Sequence, residues 1–80
     1  MKKNLIIINL EKIFIKNFKV KKSQLSSLSI GNFYKWDSLS HIKLMMDVEK
    51  KYKISINHST RVSLTSFNKL KDYLIKIFIK

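Results

Sequence analysis

The chain has 80 residues, 45% of them apolar, which suits one compact domain with a small core and excludes a disordered tail. It has no cysteine, no proline, one glycine and two histidines, so disulfides, thiolate zinc sites, cysteine nucleophiles and glycine-rich phosphate loops are excluded. Seventeen Lys and Arg against five Asp and Glu give a net charge of +12, which points to nucleic acid, an anionic membrane or an acidic protein partner. Only Arg61 is arginine, so the bidentate contacts favoured in base reading are scarce.

The first ten residues imitate a signal peptide. Glu11 and Lys12 interrupt their apolar run, and no small-residue cleavage site follows. No stretch reaches the roughly 18 uncharged apolar residues that a membrane span needs. The expectation is therefore a soluble, cytoplasmic monomer, with a single domain over residues 1–80.

From Lys3 to Phe18, Leu5 or Ile6, Leu10, Ile13, Phe14 and Phe18 recur at helical spacing, although the β-branched content would also suit a strand. Lys19 to Lys35 loses that period and gains serine, and reads as a long loop with Leu25, Leu28 and Ile30 dipping into the core. Asp37-Ser38 then opens a second helix bearing Leu39, Ile42, Met45 or Met46, Val48, Glu49 and Tyr52. Lys50, Lys51 and Lys53 fall at its end, where cations favour the free carbonyls. Ile54-Ser55-Ile56 reads as an extended link and His58 to Ser63 as one helical turn. Thr65 or Ser66 caps a last helix carrying Phe67, Leu70, Tyr73, Leu74, Ile77 and Phe78. The fold class expected is a small all-α bundle of three main helices plus one short helix, with a long loop between the first and second.

Trp36-Asp37-Ser38-Leu39, followed by Ile42, Leu44, Val48-Glu49, Tyr52, Ile54 and Ile56, resembles the acyl carrier protein family. That family opens its second helix with Asp-Ser-Leu, runs a Leu/Glu/Phe-or-Tyr rhythm along it and leaves by Ile-x-Ile. Leu64-Thr65-Ser66-Phe67 and Leu70 to Leu74 are similar to its last helix, so the likeness spans Trp36 to Leu74 without a gap, about half of the chain.

The resemblance implies that Ser38 carries 4′-phosphopantetheine, attached by a phosphopantetheinyl transferase that takes it from coenzyme A. The arm's thiol would hold an acyl or aminoacyl group as a thioester. Asp37 would cap the helix, and in the family it also presents the serine to the transferase. Free backbone N–H groups at the positive end of the helix dipole would favour the phosphodiester, with Lys35 nearby in sequence. The resemblance further implies that Leu39, Lys43, Met46 and Lys50 meet partner enzymes. Ordinary core packing is the other reading for Met46. Ile42, Leu44, Val48, Tyr52, Ile56, Leu64 and Leu70 would line an acyl pocket, which the bulk of Leu70 would shrink.

One departure from the family stands out. Its second helix is acidic, whereas here Lys43, Lys50, Lys51 and Lys53 outnumber Asp47 and Glu49. The implied partner is a dedicated acyl- or aminoacyl-ligase or acyltransferase with an acidic docking patch, serving a surface polysaccharide or secondary metabolite. His41 follows Ser38 by about a turn, but no third orienting group or oxyanion glycine accompanies it, so both His41 and His58 read as surface histidines and the chain as no enzyme. Two other classes compete: a basic helical module for nucleic acid, and a membrane-surface helix built on Ile75, Ile77, Phe78 and Ile79 with Lys76 and Lys80. Those four apolar residues also fit an extension of the last helix into the core or a partner.

Overall fold

A computed structural model describes residues 2–79. Their elements are α1 (Lys3–Phe18), a 3-10 helix (Lys22–Ser27), α2 (Ser38–Tyr52), α3 (His58–Ser63) and α4 (Phe67–Phe78), with no strand among the described residues. This is an all-α bundle.

In α1 the run of isoleucines adopts a helix because one row of it has somewhere to pack. Ile6, Leu10, Phe14 and Phe18, four residues apart, are buried, while Leu5 is half exposed and Ile13 sits at the core's edge. Burial of such a row outweighs the few tenths of a kcal/mol that separate β-branched residues from better helix formers. The helix ends at Lys19, whose left-handed backbone returns its N–H to the Ile15 carbonyl.

The segment before α2 is less irregular than its composition suggests. Its 3-10 helix buries Leu25, and Leu28 follows into the core. Beyond them the Phe67 N–H reaches the Leu28 carbonyl at 3.2 Å and the Ile30 N–H reaches that of Thr65 at 2.8 Å, bonding the loop to the start of α4. The Asn32 side chain accepts from the Ser29 N–H and donates to the Ser27 carbonyl, closing a turn in which Gly31 adopts φ 99°. That backbone conformation suits glycine alone. Ile30 stays 37% exposed, contrary to its expected place in the core, because the bridge to α4 turns it outward.

Along α2, Leu44, Met45, Val48 and Tyr52 are buried, which decides between the two methionines. Ile42 was expected inside with them; it is 56% exposed, one residue around the helix from the buried row. Polar contacts lock α2 to α1, among them one from the Lys43 ammonium to the Asn17 side-chain oxygen at 3.1 Å. The Asn17 amide donates to Asp47 at 2.9 Å, and the Tyr52 hydroxyl donates to the Ile6 carbonyl at 2.6 Å. Burial pushes the Tyr52 phenol up to about 12, so it stays a donor across the neutral range. Glu49 accepts from the Ile56 N–H at 2.8 Å, fixing the extended link after α2. Asn57 then caps α3 and Ser66, not Thr65, caps α4. Ile75 and Phe78 pack against the core while Ile77 and Ile79 are partly exposed.

The buried side chains form one cluster, and Phe14 is its aromatic centre. Its ring meets Trp36 at 5.3 Å and Phe67 at 5.0 Å, both edge to face, and also Phe18 at 5.7 Å. Phe14→Ala is expected to cost about 3–5 kcal/mol, a large share of the stability of a domain this size. Urea titration followed by the fluorescence of Trp36 measures it, and a loss under ~1 kcal/mol would show that the cluster closes without Phe14.

Ion pairing is sparse. Among the described residues Lys22 approaches Glu11 at 3.8 Å and Lys43 approaches Asp47 at 3.2 Å. Self-repulsion of the remaining lysines therefore opposes the compact state. The melting temperature should rise as salt increases from low ionic strength to ~0.15 M, where screening shortens charge repulsion to about 8 Å. A flat or falling value in a calorimetric series would contradict this.

Candidate functional site at the start of the second helix

Trp36 anchors the approach to α2. It is 2% exposed, packed between Phe14 and Phe18, and its indole N–H donates to His41 Nδ1 at 3.0 Å. His41 Nε2 lies 2.7 Å from the Arg61 carbonyl, which accepts only, so the ring is the Nε2–H tautomer. His41 is thus not the free surface histidine expected from sequence. It stacks on Trp36 and ties the first turns of α2 to α3. No spacing rule predicts this five-residue pairing; it follows from how α3 packs. His58 is exposed, as expected.

The helix cap is reciprocal. Asp37 accepts from the Ser40 N–H at 2.9 Å, and the Ser40 hydroxyl accepts from the Asp37 N–H at 2.8 Å. The same hydroxyl donates to the Lys35 carbonyl at 2.8 Å. Asp37 as cap was legible in the sequence; the part of Ser40 was missed, although a polar residue three places after the cap is the usual sign of a capping box. With the cap supplied by its neighbours, Ser38 is left as the exposed first residue of α2. The Ser40 N–H of the first turn is taken up by the cap.

Lys35 does not point its charge solely toward this helix. Its ammonium donates to the Phe18 carbonyl at the end of α1, at 3.4 Å, and sits 5.9 Å from the centre of the Tyr34 ring.

The residues expected to meet partners are all exposed. Leu39 is 80% and Met46 60% exposed, so core packing is excluded for Met46, and Lys43 and Lys50 lie at the same three- and four-residue steps on α2. Ile42 joins this apolar and basic face. The two acids of α2 are engaged within the fold: Asp47 by Asn17 and Lys43, Glu49 by the Ile56 N–H. Burial raises the Asp47 pKa, but the hydrogen bonds from Asn17 and Lys43 outweigh it and hold the carboxyl below its ordinary value.

The remaining residues expected around an acyl chain, Leu44, Val48, Tyr52, Ile56, Leu64 and Leu70, are all buried as part of the common core. The clefts between α1 and α2 are lined instead by Ile13, Asn9, Asp47 and lysines. Among the described residues no group of three metal-ligating side chains comes together. No family model and no curated protein sequence matches the chain.

The hydrogen bond from the Ser40 N–H holds the Asp37 carboxyl below its ordinary 3.8. A lowered acid stabilises the fold above its unfolded value and loses that contribution as pH falls through the folded one. Wild type should therefore melt above Asp37→Ala at neutral pH, and the gap should narrow as pH falls below 3.8. A gap that is constant with pH would show that the carboxylate charge has no part in the cap.

Proposed function

We propose that the chain is an acyl or aminoacyl carrier domain whose Ser38 takes a 4′-phosphopantetheine arm. The supporting observation is Ser38 itself, exposed at the first position of a 15-residue helix whose cap is supplied by Asp37 and Ser40. A phosphodiester there gains from the positive end of the helix dipole. The Ser38 hydroxyl attacks the pantetheine phosphate of coenzyme A, and the phosphoanhydride bond to the adenosine bisphosphate breaks. The serine proton passes to a base on a separate magnesium-dependent transferase. When bound, the arm supplies a terminal thiol that carries cargo as a thioester, a reactive sulfur the cysteine-free chain otherwise lacks. The chain itself supplies attachment, placement and docking, and no catalytic group.

Leu39, Ile42 and Met46 form the apolar part of the docking face, and Lys43 and Lys50 its charge. Its partner is a dedicated ligase or acyltransferase with an acidic rim, because Asp47 and Glu49 are held in internal hydrogen bonds. Complementary charge raises the association rate and selects partners. This argues for a specialised pathway rather than a fatty-acid synthase built for acidic carriers.

Intact-mass measurement after incubation with coenzyme A and a broad-specificity phosphopantetheinyl transferase tests the proposal. The wild type should gain one arm, and Ser38→Ala none while keeping its helical circular dichroism. An arm retained in Ser38→Ala would overturn the site. No arm on the wild type would overturn the carrier reading, and steeply salt-dependent retention on DNA would then favour a nucleic-acid module.

A further inference from the structure

The outer side of α1 carries a second stripe that the core does not use. Leu5, Ile8, Lys12 and Ile15 follow at steps of three and four, apart from the buried row Ile6, Leu10, Phe14 and Phe18. Leu5 is 50% exposed, Ile8 44% and Ile15 38%. A helix apolar on two sides is unusual for one that meets water on its outer side.

Beside this stripe, α1 and α2 leave two adjoining clefts of about 410 and 190 Å³. Ile13, Lys16 and Lys51 line both, Lys50 lines the first and Lys12 the second. The acid in the lining, Asp47, already accepts from Asn17 and Lys43. Four lysines that share one groove repel one another, and an anion placed among them relieves that repulsion.

We propose that this groove and the outer stripe of α1 form one surface for an anionic lipid bilayer. Headgroup phosphates sit among Lys12, Lys16, Lys50 and Lys51, while Leu5, Ile8 and Ile15 enter the boundary between headgroups and acyl chains. The composition favours lipid over protein. Protein interfaces are rich in aromatic residues and arginine and poor in lysine, whereas this surface sets four lysines beside Leu and Ile, with Asn9 and the engaged Asp47 as its other polar residues and no aromatic ring or arginine. Lysines beside aliphatic residues suit a lipid surface, where their stems lie along the acyl boundary and their charges reach the phosphates. A second copy of the chain would bring like charges together. Nucleic acid would leave the aliphatic stripe unused and would find no aromatic ring there to stack on. Contact is peripheral, since among the described residues no helix is long and apolar enough to cross a membrane. The inference goes beyond the carrier reading and does not depend on Ser38.

Co-sedimentation with vesicles tests it, using phosphatidylcholine alone or with about a third phosphatidylglycerol, a composition that gives the anionic surface potential. The chain should bind the anionic vesicles, release as salt rises and ignore the neutral ones. Lys12→Gln/Lys16→Gln and Leu5→Gln/Ile8→Gln should each weaken partition roughly tenfold or more, through lost charge in one and lost apolar insertion in the other. Circular dichroism checks that both pairs, drawn from exposed positions, keep the fold. Leu39→Gln/Met46→Gln and Ser38→Ala should bind as wild type, which separates this result from the carrier test. Equal binding to neutral vesicles would overturn the proposal, as would loss only in the Leu39/Met46 pair. So would displacement by millimolar inorganic phosphate, the mark of a free-anion site, or duplex DNA binding that survives Leu5→Gln/Ile8→Gln and exceeds vesicle binding.

Discussion

The contact of Phe14 with Trp36 and Phe67 is the constraint on which the rest of the molecule depends. Phe14 belongs to α1, Trp36 to the end of the long connection and Phe67 to the first turn of α4. Edge-to-face packing at these distances sets ring orientation as well as burial. Because Trp36 stands two residues before Ser38, burying it fixes where the chain emerges to begin α2. Its indole N–H then orients His41, and His41 joins the first turns of α2 to α3. The exposure of Ser38 is in this sense a consequence of a buried tryptophan.

Charge shapes the surface in a complementary way. The acids are few, and four of them have structural partners: Asp37 at the cap, Asp47 at the seam between α1 and α2, Glu49 at the link after α2, and Glu11 beside Lys22. These roles engage the negative charge in contacts within the fold and leave most lysines without an acidic partner. A fold of this kind holds itself together by its apolar core and its caps. Its excess of cations suits partners of opposite charge, an acidic enzyme rim at α2 and a lipid surface at α1 and the groove beside it in the readings advanced above.

Much of this was legible in the residues, for a physical reason in each case. Helical periodicity located α2 and α4 because one face of each is buried, and it found α3 through a short polar turn. The cap at Asp37 was legible, and that of α4 to within one residue, because a short side chain can reach the third amide after it only at a helix start. Exposure of Leu39 was expected only from the family resemblance, since periodicity counted it with the apolar row. Other points were beyond a linear reading. Ile42 lies close enough to the edge of the buried row that the period alone put it inside, while the packing of α2 on Leu44, Met45, Val48 and Tyr52 left it out. Ile30 was drawn inward by its hydrophobicity and turned outward by its own backbone bond to Thr65 and that of Leu28 to Phe67, residues far along the chain. His41 looked like a surface residue because neither partner that holds it is set by helical spacing.

The sequence by itself determined most of the buried rows, the number of long helices, the capped start at Ser38 and the excess of cations. These properties are carried by single side chains or by neighbours within a turn. Tertiary structure alone decided which side of each helix faces inward at its margins and how the long connection is bonded to α4. It also decided that Lys12 and Lys16 of α1 meet Lys50 and Lys51 of α2 in one groove. The reason is that such contacts join residues more than thirty positions apart, and their geometry depends on how whole helices pack, which no local pattern encodes.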